Sequence, residues 1–225
     1  MNNMRFVANT FFAILCATLI NTKSFAEPVN LNTVKDNLRA YHDSGDYQKE
    51  ITKVATQADQ YMVHQAEMNE RSKHPQKLAI VLDIDETSLS YYDHMYKRHF
   101  THDPIASREE ILTENAPAIK PILLLYQNAL SHHIAVFFIT ARRSFAYQAT
   151  VRNLKAAGYR KWAGLYTRPN YYKEPSMAPF KSETRAMIMK QGYTIIASIG
   201  DQLSDLSGGH AQKMFKLPNP YYFIP

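Results

Sequence analysis

Three continuous apolar runs each end on a polar residue capable of chemistry, and nothing else in the chain restricts its fold as tightly. Lys77-Leu-Ala-Ile-Val-Leu runs into Asp83, His133-Ile-Ala-Val-Phe-Phe-Ile into Thr140, and Thr194-Ile-Ile-Ala-Ser-Ile-Gly into Asp201. A short run without polar alternation suits a strand buried on both faces, as in a parallel sheet. Ala163–Thr167 and Lys213–Leu217 are shorter candidates, and helical patterns lie between the runs at roughly 117–131, 144–157 and 180–191. Strands alternating with helices predict a doubly wound α/β domain. Ligands of such sheets bind just outside the carboxyl ends of the strands, so Asp83, Thr140 and Asp201 are expected to converge on one site.

The flanks read differently. Residues 31 to about 72 predict two helices: Leu31, Val34, Leu38 and Tyr41 share one face, Asp43-Ser44-Gly45-Asp46 interrupts, and Ile51, Val54, Ala58, Met62 and Ala66 form a second stripe that His74-Pro75 ends. The stretch 88–117 is long, irregular and aromatic, with Tyr91, Tyr92, Tyr96 and Phe100, and it follows the first strand, which predicts a lid over the site. Its rings suit either stacking of a base or phenyl group or a small satellite core. Its histidines, His94, His99 and His102, lack the helical spacing of a zinc motif.

Residues 1–26 have the pattern of a secretory signal peptide: Arg5, an apolar run from Phe6 to Ile20, and small residues at Ser24 and Ala26. An uncleaved membrane anchor is the alternative, disfavoured because the apolar stretch is short for a span. Leu15 before Cys16 does not suit a lipoprotein. Cleavage after Ala26 removes Arg5, Lys23 and Cys16, which lowers the formal charge from +6 to +4 and leaves no cysteine. An exported, periplasmic or secreted domain of residues 27–225 is therefore expected, without stable membrane insertion after cleavage. A charge this modest, with no dense basic stripe, argues against a nucleic-acid polymer as partner.

The chemistry concentrates in four places. In Asp83-Ile-Asp85-Glu-Thr87 two carboxylates follow a strand tip, a spacing that allows one to attack as nucleophile and the other to serve as general acid and base. Thr87 is expected to stabilise the turn. Gly200-Asp201-Gln-Leu-Ser-Asp205 adds two more carboxylates at another tip. Four acids in one cleft would repel one another, and hard oxygen ligands suit Mg²⁺, with Asp201 binding directly and Asp205 orienting. Thr140 either holds phosphate oxygens or caps the next helix, and Arg142 or Arg143 either reaches phosphate or closes a salt bridge. Lys181 sits at a helix start, against the helix dipole, which predicts an anionic partner, phosphate or nucleophile.

In this order, Asp83-Ile-Asp-Glu-Thr87, Thr140, Lys181 and Gly200-Asp-Gln-Leu-Ser-Asp205 resemble the four motifs of the haloacid dehalogenase superfamily. The longer forms Ile80–Thr87 and Ile199–Leu206, with the tail Lys216-Leu-Pro-Asn-Pro-Tyr221, are similar to its secreted acid phosphatases, the branch that includes plant vegetative storage proteins. The resemblance covers essentially all of the chain beyond residue 26. It implies a Rossmann-like core with a small helical cap, and Mg²⁺ held by Asp83, the Asp85 carbonyl and Asp201 with support from Asp205. It further implies Asp83 as nucleophile, Asp85 as acid/base, and Thr140 and Lys181 on the phosphoryl group. A small phosphomonoester, such as a nucleotide or aryl phosphate, is the implied substrate, with Tyr221 near it. A storage or binding protein on the same fold and a phosphotransferase are the alternatives.

Overall fold

A computed structural model describes residues 27–113 and 115–225. The predicted leader, 1–26, lies outside the described residues. Five parallel strands form the sheet: β1 (Lys77–Leu82), β2 (Ala135–Arg143), β3 (Gly164–Arg168), β4 (Tyr193–Gly200) and β5 (Lys213–Lys216). Their spatial order is β3-β2-β1-β4-β5. The chain leaves β1 toward β2 and β3 on one side and returns to β4 and β5 on the other. The reversal beside β1 opens the crevice where such sheets bind ligands.

Seven α-helices accompany the strands among the described residues: α1 (Leu31–Asp43), α2 (Asp46–Glu70), α3 (Tyr92–Lys97), α4 (Pro104–Thr113), α5 (Lys120–Ser131), α6 (Tyr147–Ala156) and α7 (Ala178–Lys190). The all-apolar strand sequences follow from cover on both faces. Leu78, Ile80 and Leu82 face a large cluster with the buried stripe of α2 (Tyr47, Ile51, Ala55, Ala58, Met62, Ala66) and with α5. Ala79 and Val81 face the opposite way, onto Phe137, Ile139, Ile195 and Ile188 of α7. Each fully buried Leu or Ile contributes about 1.5–3 kcal/mol relative to exposure. Gly45 separates α1 from α2 at φ 80°, a left-handed conformation that glycine adopts without strain.

The segment expected as an irregular lid contains α3 and α4, and its two ends are tied together. Ser90 N–H donates to Pro117 O (2.9 Å) and Ile119 N–H to Ser88 O (3.0 Å). Two of its aromatics are packed inward: Tyr91 and Tyr92 are buried, and Tyr92 stacks on His42 of α1 with centroids 3.3 Å apart, while Tyr96 remains exposed. Of the two roles open to those rings, Tyr91 and Tyr92 show packing. Tyr221 joins the same cluster, with its ring 5.4 Å from both Tyr47 and Tyr92 and stacked on Phe100.

Strand β2 departs from expectation. Its apolar run stops at Thr140, yet the strand continues through a register irregularity to Arg143, which pairs with Arg168 of β3. The polar extension is held by side chains that the apolar pattern does not reveal, above all Arg142, whose backbone N–H donates to Thr140 Oγ1 (3.1 Å). A short 3₁₀ turn, Ser144–Ala146, then leads into α6.

Candidate active site

Asp83 directly follows β1 and Asp201 directly follows β4, so the adjacent pairing of those strands sets the two carboxylates side by side. Asp205 lies in a 3₁₀ turn (Leu203–Asp205) one turn beyond Asp201 and folds back toward the strand tip. Ligand oxygens of Asp83, Asp201 and Asp205 all fall within 4.8 Å of one another, and all three residues are buried. Gly200 makes the fold-back possible: a Cβ there would lie 2.3 Å from the Asp205 side chain. The Asp205 Oδ2 accepts from the backbone N–H of Gln202 (2.7 Å).

Lys181 enters from the first turn of α7. Its ammonium donates to Asp83 Oδ1 (2.7 Å) and, by a very short contact, to Asp205 Oδ1. Of the two anionic partners predicted for this lysine, the geometry shows the carboxylates. Burial pulls the Lys181 pKa down, but Asp205 and Asp83 outweigh it and hold the pKa above the ordinary lysine value. Asp83 shows the opposite balance. Pairing with Lys181 alone would lower its pKa, yet burial and then Asp205 push it well above the usual carboxylate range, with Asp201 and Asp85 adding to the rise. One buried ammonium pairs with two of three buried carboxylates, so ionisation of all three would leave excess negative charge. A set of hard oxygen donors with that imbalance fits a divalent cation.

Asp201 is held from three sides. Thr87 Oγ1 donates to its Oδ1 (2.8 Å), and Gln202 Nε2 (2.6 Å) and Asn219 Nδ2 (2.7 Å) donate to its Oδ2. Burial, followed by Asp205, still raises its pKa against those donors. Thr87, expected to stabilise its own turn, therefore reaches across to the neighbouring strand tip. Ser88 Oγ occupies the local position, donating to Asp83 O (2.6 Å).

The Asp85 carboxylate lies apart from the triad. Arg142 takes both of its oxygens, with Nε at 3.1 Å from each and Nη2 at 2.7 Å from Oδ1. Arg142 is itself buried and also donates to Tyr91 Oη (2.9 Å) and Thr150 Oγ1 (3.1 Å). Of the two roles open to this arginine, the structure shows the salt bridge. Arg143 turns outward to Asn170 O (2.8 Å). Thr140 is fully buried at the bend of β2, where its Oγ1 accepts the Arg142 N–H.

Several site residues escape sequence reasoning. Arg185, one helical turn after Lys181 on α7, is fully buried and donates to the carbonyls of Asp205 (2.7 Å), Gly209 (2.8 Å) and Ser207, which pins the loop that carries Asp205. Its i+4 spacing from Lys181 is the one available signal. Glu86 is buried in a left-handed conformation (φ 54°); its carboxylate accepts Tyr91 N–H (2.5 Å) and Tyr222 Oη–H (3.0 Å). Tyr222 and Asn219 bring the C-terminal tail back against both carboxylate motifs, a contact between distant segments that no local pattern announces.

With this geometry in hand, comparison with known proteins is direct. Residues 16–225 match the family model for the HAD superfamily, subfamily IIIB (acid phosphatase). The chain is 31% identical to acid phosphatase 1 of Solanum lycopersicum over 194 residues, covering 84% of this chain and 74% of that protein. It is 32% identical to vegetative storage protein 1 of Arabidopsis thaliana over 206 residues, covering 88% and 74%. The class C acid phosphatase from Bacillus anthracis has a similar fold, with a TM-score of 0.67 at 20% identity over 84% of this chain and 86% of that one. The chain belongs to the acid phosphatases of HAD subfamily IIIB and, with them, to the phosphomonoester hydrolases.

Proposed function

We propose that the protein hydrolyses small phosphomonoesters in two steps through a phosphorylated Asp83, with Mg²⁺ as the cation of the carboxylate cluster. The observation that carries this reading is the Lys181 ammonium set between Asp83 and Asp205, with Asp201 in the same cluster. Lys181 occupies Oδ1 of Asp83, and no described residue donates to Oδ2. Oδ2 is therefore the attacking atom. It forms a bond to phosphorus as the bond to the leaving oxygen breaks, while Lys181 offsets charge on the transferring group. The Thr140 hydroxyl, at the carboxyl end of the same sheet, would hold a phosphoryl oxygen.

Asp85 delivers a proton to the leaving oxygen, then takes one from the water that cleaves the aspartyl-phosphate and restores Asp83. Arg142 positions Asp85 through both oxygens and would release one of them when that oxygen carries the proton. Asp83, Asp201 and the Asp85 carbonyl would hold Mg²⁺, with Asp205 supporting; when bound, the ion polarises a phosphoryl oxygen and neutralises the carboxylates. Export through the 1–26 leader belongs to the same reading. Among the described residues no helix is long and apolar enough to cross a membrane.

The storage proteins among the relatives carry a second reading, a folded chain without turnover. Asp83 and its partners are all present here, which favours the enzyme. The deciding measurement is phosphate release from p-nitrophenyl phosphate and a 5′-nucleotide, with Mg²⁺ or EDTA, beside Asp83→Asn. Metal-dependent turnover lost in the variant is expected. Turnover that survives Asp83→Asn refutes the nucleophile, and none from folded, metal-loaded protein favours storage.

A further inference from the structure

We propose that Arg143 and Arg168 form an oxyanion subsite that receives a second negatively charged group on the substrate, a carboxylate or a further phosphate. The proposal rests on the phosphomonoesterase reading above and names a substrate class for it. The two arginines are Cα partners in the β2–β3 ladder at the carboxyl end of the sheet. Paired positions of a parallel ladder lie about 4.8 Å apart and present their side chains to the same face. The backbone thus starts the two side chains side by side, and the Arg143 charge is near enough to act on Arg168.

Among the described residues, neither has a carboxylate partner. Arg143 donates to a backbone carbonyl, Asn170 O (2.8 Å), and Arg168 Nη1 reaches only the Met177 sulfur (3.7 Å). Arg168 Nε is buried with no hydrogen-bond partner. Burial and then the charge of Arg143 lower the Arg168 pKa, with Tyr172 opposing. Pro225 O accepts from Met177 N–H (2.7 Å), and among the described residues it has no ion pair with either arginine. Like charges pressed together and partly desolvated are unfavourable unless an anion joins them. A planar guanidinium pair matches the geometry of a carboxylate or phosphate.

The subsite adjoins the reacting centre. Met177 caps α7, and its carbonyl accepts the backbone N–H of Lys181 (3.0 Å), so Arg168 contacts the helix about one 5.4 Å turn from the residue on Asp83. Arg143 follows Thr140 by three residues on β2. A compact substrate can therefore place its phosphoryl group at Asp83 and a second anion at the arginines.

The test compares 3-phosphoglycerate with glycerol 1-phosphate, which differ by a carboxylate in place of a hydroxymethyl group. The wild-type kcat/KM ratio should favour 3-phosphoglycerate about tenfold or more, since hydrogen bonds between charged groups are the strong ones. Arg168→Met and Arg143→Met should each bring the ratio toward one, Arg168→Lys should fall between, and added salt should erode the wild-type preference. A wild-type ratio near one, or a preference kept in both Met variants, overturns the proposal. Calorimetric binding of the same pair to Asp83→Asn, with and without Arg168→Met, gives the same decision without turnover. Absence of p-nitrophenyl phosphate hydrolysis would count against the hydrolase reading alone, and the calorimetric comparison would still decide the subsite.

Discussion

Glu86 should make this protein more stable in acid than at neutral pH, by an amount the structure allows to be worked out. The side chain is 1% exposed, and burial raises its pKa from 4.5 to about 8; Asp85 and Asp201 add to the rise, while the Tyr91 N–H and the Tyr222 hydroxyl oppose it. The folded state therefore keeps a proton that the unfolded chain releases above pH 4.5. Its stabilising effect is fully present below pH 4.5 and is lost as pH rises through about 8. At 1.36 kcal/mol per unit, the loss between pH 5 and pH 7 is about 2.5 kcal/mol. For a chain of this length that lowers Tm by roughly 5–10 °C. Glu86→Gln keeps the acceptor for Tyr91 N–H and removes the titration. Thermal unfolding of metal-free wild type and variant should show wild type losing stability relative to the variant by that amount between the two pH values. Asp83 and Asp201, also raised by burial, push in the same direction in both proteins and cancel in the comparison. Parallel Tm curves across the range would refute the argument.

Substitutions at three further positions probe the site. Arg142→Met should cut turnover about 10–100-fold by releasing Asp85, and Arg142→Lys should restore only part, because an ammonium cannot hold both oxygens; steady-state kinetics decide it. Gly200→Ala forces a Cβ against Asp205 and should cost about 1–3 kcal/mol in denaturant unfolding. Asn219→Ala removes a donor from Asp201 and should weaken Mg²⁺ binding about tenfold or more by calorimetry.

The parts of this molecule legible in sequence are those set by local pattern. Runs such as Lys77–Leu82 are apolar because both faces are covered, so the strand, its parallel character and the placement of Asp83 at a tip all follow from one segment. Helix α2 is legible for the same reason, since its buried stripe repeats at helical spacing. Lys181 was readable as a lysine that the helix dipole disfavours, and its partners Asp83 and Asp205 supply the compensation. The less legible features depend on contacts between distant segments. Thr87 could be read as a turn residue only because Asp201 lies 114 positions away in sequence. The extension of β2 past Thr140 depends on Arg142 finding Asp85, and the packing of Tyr92 in the lid depends on α1 and the tail. Polar pairing across the fold has no period to read.

The energetics of the cluster bear on the choice between enzyme and storage protein. Burying Asp83, Asp201 and Asp205 around one ammonium is costly, and replacing such a network by apolar residues of similar volume is often neutral or stabilising by about 1–4 kcal/mol. A chain selected only to fold and accumulate would gain by losing it. This one surrounds the cluster with further buried polar groups: Thr87, Gln202 and Asn219 on Asp201, and Arg185 on the loop behind Asp205. Each fixes an oxygen or a backbone segment in place, and none shields the cluster with apolar surface. Such an arrangement keeps ligand oxygens poised at the cost of stability, which is the compromise expected where catalysis depends on preorganised charge.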